Sequence, residues 1–315
     1  MSDAGSRRDR VHVRAPGKIN LFLGVGPIDG DGYHALSTVF QAVSLYEDVI
    51  ATAADDFSLT VSGVADPSTV PLDDRNLAMR AAKVLAAATG YDGGVHLEIR
   101  KSVPVAGGMG GGSADAAAAL VACNELWRTG LGHDRLHELG ARLGADVPFA
   151  LTGGTAVGTG RGDVLTAALA RGRYEWVLIT DEDGLSTPEV YRAYDVARAE
   201  EDRVYADSPL DPFDVPPSFF EALLTGDAEA LAPCLSNQLE AGAFRLRPAL
   251  EGTIERGVAA GALAGIVSGS GPTIALLCTD AVAADRVAER LRSTGRTALR
   301  AHGPVRGAQV VDEGR

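Results

Sequence analysis

Residues 104–116, PVAGGMGGGSADA, follow an extended stretch, VHLEIRKSV, at residues 95–103. Five of the six residues at 107–112 are glycines, and the alanine-rich segment after them predicts a helix over about 114–128 with Ser113 as its cap. A glycine-rich turn between a strand and a helix exposes consecutive backbone N–H groups beside the positive end of the helix dipole. The pattern therefore predicts a binding site for a phosphate-bearing anion.

The glycine pattern matches neither of the two common nucleotide-binding loops. A Walker loop requires a lysine directly before Ser113, where this chain has Gly112, and the dinucleotide fingerprint requires glycine or alanine three residues after Gly110. A flexible hinge is the structural alternative, but a hinge requires neither a preceding strand nor a helix cap. The sequence favours a phosphate site of another class.

The size and charge of the chain limit its partners. Its 315 residues are enough for two domains, and 46% hydrophobic with 23% charged residues is a globular composition. The formal net charge of −13 opposes the clustered positive charge that nucleic acids and anionic membranes require. We therefore expect no nucleic-acid or membrane partner, and local groups must hold any phosphate.

Cysteine usage and hydropathy indicate a cytoplasmic protein. The three cysteines match neither a disulfide framework nor a metal-binding spacing; they are Cys123, Cys234 and Cys278. Residues 1–10 lack an apolar signal segment, and no stretch of about 18 apolar residues predicts a membrane span. The choice between a monomer and a homodimer stays open.

The first patterned segment, residues 11–25, predicts a β-strand with two distinct faces. Alternation places Ile19, Leu21, Leu23 and Val25 on one face and Lys18, Asn20 and Phe22 on the other. Lys18 and Asn20 are therefore expected to be neighbours in space. Because the chain has only three lysines among its 29 basic residues, a lysine in an apolar strand is unusual here.

Strands and helices follow one another through the rest of the chain without a strict repeat, which favours an α+β fold over a doubly wound sheet. Two further glycine-rich loops are GTGRGD at 158–163 and SGSGPT at 268–273. The first is either a hairpin turn or a ligand contact. In the second, Ser268 and Ser270 favour a role facing a ligand.

Four separated segments together resemble the GHMP kinase superfamily. They are APGKINLFL at 15–23, PVAGGMGGGSADAA at 104–117, LGADVPF at 143–149 and SGSGPT at 268–273. The resemblance implies an ATP-dependent kinase that phosphorylates a small-molecule alcohol. It also implies that ATP contacts the glycine loop through Pro104, Val105, Ala106, Gly107, Gly108, Met109, Gly110, Gly111, Gly112 and Ser113.

The resemblance also implies a two-domain α+β fold with the active site in the cleft between the domains. We expect residues 1–165 to form an ATP-binding domain like ribosomal protein S5 and residues 166–315 to form a ferredoxin-like C-terminal domain. Mg²⁺ is expected because ATP chemistry uses it. The sequence does not identify the protein ligands of this ion.

By resemblance, Asp146 is the catalytic aspartate that accepts the proton of the acceptor hydroxyl. From spacing alone, Asp146 before Val147-Pro148 is a typical helix N-cap, and the motif match reverses that preference. Phosphoryl transfer depends mainly on positioning and charge stabilisation, so a weak base is sufficient. Lys18 is expected near Asp146, where it neutralises charge on the transferred group. Its structural alternative is a strand lysine whose ammonium reaches solvent.

The combination of APGKINLFL at 15–23, GYH at 32–34 and GADVPF at 144–149 resembles the branch of the superfamily whose acceptor carries a cytidine diphosphate group. The resemblance implies that Tyr33 stacks on the base, that His34 bonds its edge and that Tyr191 covers the other base face. Asn20 is expected to bind the acceptor as well. For Tyr191, packing in the protein core is the structural alternative.

The sequence leaves several alternatives and one unusual residue. Other enzymes of the superfamily act on homoserine or mevalonate-type alcohols, and a catalytically silent nucleotide-binding regulator is a different class. A dinucleotide oxidoreductase is disfavoured by the missing fingerprint. Asp115 stands where the superfamily often has asparagine, and it is expected to cap the helix rather than to bind Mg²⁺.

Overall fold

Two β-sheets pack face to face in the computed structural model, which describes residues 9–28, 30, 32–63, 69–181, 183–204 and 213–311. In chain order the strands are β1 Arg10–Ile28, β2 His34–Ala54, β3 Phe57–Ser62, β4 Gly94–Arg100, β5 Thr155–Thr159, β6 Val164–Ala167, β7 Tyr174–Thr180, β8 Ser236–Asn237, β9 Ala264–Val267, β10 Ile274–Cys278, β11 Thr297–Gly303 and β12 Gln309–Val310. The first sheet runs β12-β1-β2-β4-β3, with β5 and β8 added on β2 and β1. The second sheet is antiparallel, in the order β11-β7-β10-β9.

Helices cover the outer faces of both sheets. They are α1 Leu77–Thr89, α2 Gly111–Trp127, α3 His133–Ala141, α4 Val147–Thr152, α5 Thr187–Val204, α6 Pro217–Thr225, α7 Ala228–Leu231, α8 Glu240–Leu246, α9 Ala249–Ala259 and α10 Ala281–Arg292, with a 3-10 turn at Ala232–Cys234. None of the helices in these described ranges is long and apolar enough to cross a bilayer. The architecture is α+β, as predicted.

Helix α2 explains why the glycine loop is followed by alanines. It is buried on nearly all sides, between α1 and the strands β1 and β2. Small side chains let the helix approach the sheet closely, and this approach fixes the position of its N-terminus. The packing of α2 therefore holds the glycine loop at the edge of the first sheet.

Helix α2 begins three residues earlier than the sequence predicts. Gly110 is its N-cap with φ of 70°, and no side chain bonds the free N–H groups of the first turn. Ser113 lies inside the helix, so the prediction that it caps the helix is wrong. The left-handed conformation of Gly110 turns the chain into the helix without a polar cap, and backbone N–H groups remain available to a ligand.

The predicted alternation along β1 holds only for part of the strand. Register shifts between Asn20 and Phe22 and beyond Val25 interrupt the pairing of β1 with β2. Phe22 consequently packs in the core between the sheets together with Ile19 and Leu21, and not on the face of Lys18. The alternation is right for Lys18 and Asn20, which are in contact.

The proposed division of the chain at residue 165 stays a prediction. Residue 165 lies inside β6, and β8 and β12, from the second half of the chain, pair with β1 of the first sheet. The sequence DGDG at 29–32 predicts a turn and the acidic, proline-rich segment at 200–218 predicts a surface loop, and part of each lies outside the described residues. Residues 200–204 continue α5.

Candidate active site

The glycine loop separates two cavities. A cavity of about 350 Å³ is lined by Lys18, Asn20 and Asp146, and a second of about 390 Å³ is lined by residues 104–108 and 110–113. Gly108 and Gly110 contribute to the walls of both cavities. A phosphate group on the loop would therefore lie where a ligand in one cavity meets a ligand in the other.

Lys18 and Asp146, predicted as the catalytic pair, lie together on the wall of the first cavity. Lys18 Nζ is 4.0 Å from Asp146 Oδ2, and the Lys18 backbone N–H donates to the carbonyl of Met109 at 3.0 Å. Asp146 precedes α4 in the N-cap position, but its side chain makes no capping hydrogen bond. The carboxylate is instead directed to the lysine. The helix-cap alternative does not describe this side chain.

A chain of hydrogen bonds fixes the Lys18 side chain. Lys18 Nζ donates to Asn20 Oδ1 at 2.8 Å, Asn20 Nδ2 donates to Thr38 Oγ1 at 2.8 Å, and the Thr38 hydroxyl donates to the carbonyl of Phe22 at 2.7 Å. Burial lowers the pKa of the Lys18 ammonium, and the negative charge of Asp146 opposes this shift. The structure thus places Asn20 as the group that orients Lys18.

The turn at 268–273 supports the glycine loop from the side of the second sheet. The Ser268 hydroxyl donates to the carbonyl of Gly108 at 3.1 Å, and Asn237 Nδ2 donates to the carbonyls of Val267 and Gly269 at 2.8 and 2.7 Å. Ser268 is fully buried, so of the two serines only Ser270 lines the first cavity. Ser268 therefore holds the loop instead of facing the cavity.

Replacing Gly108 by alanine is expected to destabilise the chain by about 2–3 kcal/mol and to raise the KM for ATP, the nucleotide that the resemblance implies, by about tenfold. Gly108 has φ of 76°, and a Cβ there would lie 2.0 Å from the carbonyl oxygen of Ser268. Urea unfolding and initial rates measure the two effects. In Gly132→Ala, the control, nothing lies within 4 Å of the added carbon, and only a small loss of stability, below about 1 kcal/mol, is expected because Gly132 is the N-cap of α3. Equal stability of both variants would contradict the close packing.

The three aromatic side chains predicted for a nucleobase lie near the first cavity, in an arrangement that differs from a simple sandwich. His34 stacks on Tyr191 with ring centroids 5.3 Å apart and planes at 25°. His34 Nδ1 lies 2.7 Å from the carbonyl of Gly26, and its Nε2 lies 3.2 Å from Asp195. Tyr33 is 57% exposed, and the Arg161 guanidinium lies 4.1 Å from the centroid of its ring. Burial raises the pKa of Tyr191 to about 12.

A buried cluster of one lysine and two carboxylates lies beneath the second cavity. Lys101 Nζ is 2.5 Å from Glu47 Oε1 and 2.7 Å from Asp115 Oδ2. Asp115 is therefore an ion-pair partner in the body of α2, and the prediction that it caps the helix is wrong. Burial raises the pKa of Asp115 and raises that of Glu47 to about 8, and the charge of Lys101 opposes both shifts.

The cluster predicts a specific dependence of stability on pH. Glu47 has an ordinary pKa of 4.5 and about 8 in the folded chain, so between these values the folded chain holds more protons than the unfolded chain. Its contribution is full below pH 4.5 and is lost as the pH rises through 8. As the pH rises between these two values, the free energy of unfolding of the wild type should therefore fall relative to that of Glu47→Gln, by up to about 1.4 kcal/mol per pH unit.

Urea unfolding of both chains from pH 5 to 9 measures this difference. A constant difference across that range would show that Glu47 does not hold the proton. A further variant, Glu255→Gln, changes an exposed carboxylate of α9 and should follow the wild type at every pH.

Sequence reasoning missed several residues of this site. Thr38, Glu47 and Asn237 reach the site through strand pairing or turns distant in sequence, and no local pattern marks them. Arg161, in the loop GTGRGD, lines the first cavity and its guanidinium lies 4.1 Å from the centroid of the Tyr33 ring. A ligand contact is one of the two interpretations of this loop that the sequence leaves open, and a hairpin turn is the other.

Two family models match this chain. GHMP kinases N terminal domain matches residues 76–154, and GHMP kinases C terminal matches residues 219–297. The first range holds the glycine loop and Asp146, and the second holds the turn at 268–273 that supports the loop. Together they cover about half of the chain.

Relatives of high identity carry one name. A 4-diphosphocytidyl-2-C-methyl-D-erythritol kinase of Leifsonia xyli subsp. xyli is 54% identical over 306 residues, which are 97% of this chain and 100% of that protein. The protein of the same name from Pseudarthrobacter chlorophenolicus is 52% identical over 96% of this chain and 95% of its own length.

Solved structures share the fold. A crystal structure of 4-(cytidine 5'-diphospho)-2C-methyl-D-erythritol kinase matches with a TM-score of 0.76 at 34% identity, covering 92% of this chain and 98% of that chain. Homoserine kinase from Cytophaga hutchinsonii matches with a TM-score of 0.72 at 18% identity, covering 99% and 100%. The second likeness concerns the fold alone.

Proposed function

The chain belongs to the GHMP kinases and, within them, to the 4-diphosphocytidyl-2-C-methyl-D-erythritol kinases, and on that premise we propose that it transfers the γ-phosphoryl group of ATP to the 2-hydroxyl of 4-diphosphocytidyl-2-C-methyl-D-erythritol. The reaction lies in the methylerythritol phosphate route to isoprenoid precursors. The alternatives, a homoserine or mevalonate-type kinase and a silent regulator, are not favoured by the relatives of high identity.

One observation carries the proposal: two cavities meet at Gly108 and Gly110, and Lys18 and Asp146 lie on one side of that junction. ATP in the second cavity would place its γ-phosphate on the glycine loop, facing the acceptor in the first. Backbone N–H groups at the start of α2 would bind the phosphates. This arrangement supports an in-line transfer across the loop.

In the proposed reaction, the acceptor oxygen forms a bond to the γ-phosphorus as the bond between that phosphorus and the bridging oxygen breaks, and ADP leaves. Asp146 accepts the proton of the acceptor hydroxyl. Lys18 neutralises charge on the transferring phosphoryl group, and Asn20 holds the ammonium in place through the hydrogen bond at 2.8 Å. The Lys18 ammonium forms an ion pair with the Asp146 carboxylate at 4.0 Å.

Mg²⁺ would neutralise charge on the β- and γ-phosphates. Within the described ranges no group of three or more histidine, cysteine or acidic side chains is arranged to hold a metal ion. Mg²⁺ commonly keeps several waters and binds largely through substrate phosphates, so it does not require a cluster of protein ligands. The Ser113 hydroxyl lines the second cavity and would take one coordination position. Asp115 is already paired with Lys101.

The cytidine end of the acceptor would lie near Tyr33, His34 and Tyr191. Because His34 and Tyr191 stack on each other, we propose that Tyr33 covers one base face and that the stacked pair borders the other side. The division into domains at 1–165 and 166–315, the cytoplasmic location and the monomeric or homodimeric state belong to the same proposal.

A substrate panel tests the function. We expect ADP release and a new phosphomonoester, seen by ³¹P NMR, with ATP and 4-diphosphocytidyl-2-C-methyl-D-erythritol, and no turnover with homoserine or mevalonate. Turnover of either alternative alcohol at a comparable kcat/KM would overturn the assignment. ATP binding without turnover of any acceptor would support the silent regulator.

A further inference from the structure

The first cavity contains a second cation whose role the proposed function does not explain. Among the described residues that line this cavity, Lys18 and Arg161 carry the cationic side chains. Lys18 is buried and held by Asn20 and Asp146. Arg161 lies on the turn between β5 and β6, is exposed to solvent and lines the cavity.

The backbone around Arg161 presents this side chain in a defined direction. Gly160 and Gly162, on either side, have φ of 68° and 86°, a conformation that favours glycine. The Leu36 N–H donates to the carbonyl of Gly160 at 2.8 Å, and the Arg161 N–H donates to Asp163 Oδ1 at 3.2 Å. The turn is therefore tied both to β2 and to itself.

Arg161 connects the ring of Tyr33 with the first cavity. Its guanidinium stacks over the ring of Tyr33, which belongs to the proposed base end, and the same side chain lines the cavity that holds Asp146 at the reacting end. In an acceptor that carries cytidine diphosphate, the two phosphates lie between the base and the alcohol. A guanidinium can stack on an aromatic ring and still donate parallel hydrogen bonds to phosphate oxygens.

We propose that Arg161 binds the diphosphate of the acceptor and thereby selects nucleoside-diphosphate-linked alcohols over free alcohols. This inference rests on the proposed function. The charge of the chain supports it, because a protein of net charge −13 has no general field that attracts a diphosphate, so a local cation must do so. The loop GTGRGD is then a ligand contact as well as a hairpin turn.

Binding of CDP and of cytidine by calorimetry separates the phosphate contact from the base contact. In Arg161→Ala the Kd for CDP should rise at least about tenfold, while the Kd for cytidine stays within about twofold. The salt dependence of CDP binding should also weaken. Arg161→Lys keeps the positive charge but lacks the planar guanidinium, so its Kd for CDP should lie between those of the wild type and Arg161→Ala. Arg286→Ala, an exposed arginine of α10, should match the wild type.

The possible results are distinct. Equal weakening of CDP binding and cytidine binding would mean that Arg161 acts only by supporting Tyr33. No weakening of either would mean that Arg161 does not contact the acceptor. Each of these results overturns the inference and leaves the proposed function intact. A wild-type chain that binds neither CDP nor cytidine would refute the cytidine-bearing substrate itself, and the inference with it. Thermal unfolding of the variants checks that the substitution leaves the fold unchanged, and an unchanged Tm is expected because Arg161 is exposed.

Discussion

Replacing Asp146 by asparagine is expected to lower kcat by about 1,000-fold or more and to leave ATP binding nearly unchanged. The amide has almost the same shape but cannot accept the proton of the acceptor hydroxyl. Asp146 lines the first cavity, whereas the glycine loop presents most of its residues to the second. Single-turnover rates at saturating substrates and an ATP titration measure the two effects separately.

The same variant tests the helix-cap alternative for Asp146. Because the side chain makes no capping hydrogen bond to α4, the Tm of the variant should stay close to that of the wild type. Asp134→Asn, in the first turn of α3, is a matched control and should leave kcat within about twofold. Residual activity above about a tenth of the wild type, or a clear loss of ATP affinity, would refute the role of Asp146.

The local patterns of the sequence predict the parts of the site that are continuous in the chain. Alternation along β1 correctly makes Lys18 and Asn20 neighbours, since the strand is regular at these two residues. The strand, glycine turn and helix at 95–127 are also correct in kind. The bulge after Asn20 turns Phe22 into the core between the two sheets. The sequence does not predict this shift, because a bulge depends on the pairing of two strands and leaves no local signal.

The sequence could not predict contacts that join distant segments. Asp115 appears at the start of a helix, where dipole arguments favour a cap, but Lys101 and Glu47 reach it from other strands and decide its role. Helix α1 begins after the N-cap Asn76, whose Oδ1 accepts from the N–H of Ala78, in a segment for which no helix is predicted above. The position of Asp146 beside Lys18 followed from family resemblance and not from spacing.

Lys18→Met is expected to lower kcat by about 100- to 1,000-fold, with little loss of stability. Methionine fills nearly the same volume but removes the charge that would neutralise the transferring phosphoryl group. Burial of the ammonium already disfavours its charged form and lowers its pKa, so an uncharged side chain in this position should be tolerated by the fold. Rates and urea unfolding of the variant give both quantities.

Two further variants separate charge from geometry at Lys18. In Lys18→Arg the charge remains, but a planar guanidinium does not reproduce the position of the ammonium 2.8 Å from Asn20 Oδ1 and 4.0 Å from Asp146 Oδ2, so activity should not return. Lys83→Met changes an exposed lysine of α1 and should be neutral. Full activity of Lys18→Arg would contradict the requirement for a precisely held ammonium.

The double variant of Lys18 and Asp146 tests whether the two side chains act in one step. If Asp146 takes the proton while Lys18 stabilises the same transition state, the second substitution removes an interaction that the first has already disabled. The double variant should therefore lose little more activity than the more severe single variant. Multiplied losses would instead assign the residues to independent steps, for example Lys18 to phosphate binding before the transfer, which a parallel rise in the KM for ATP would reveal.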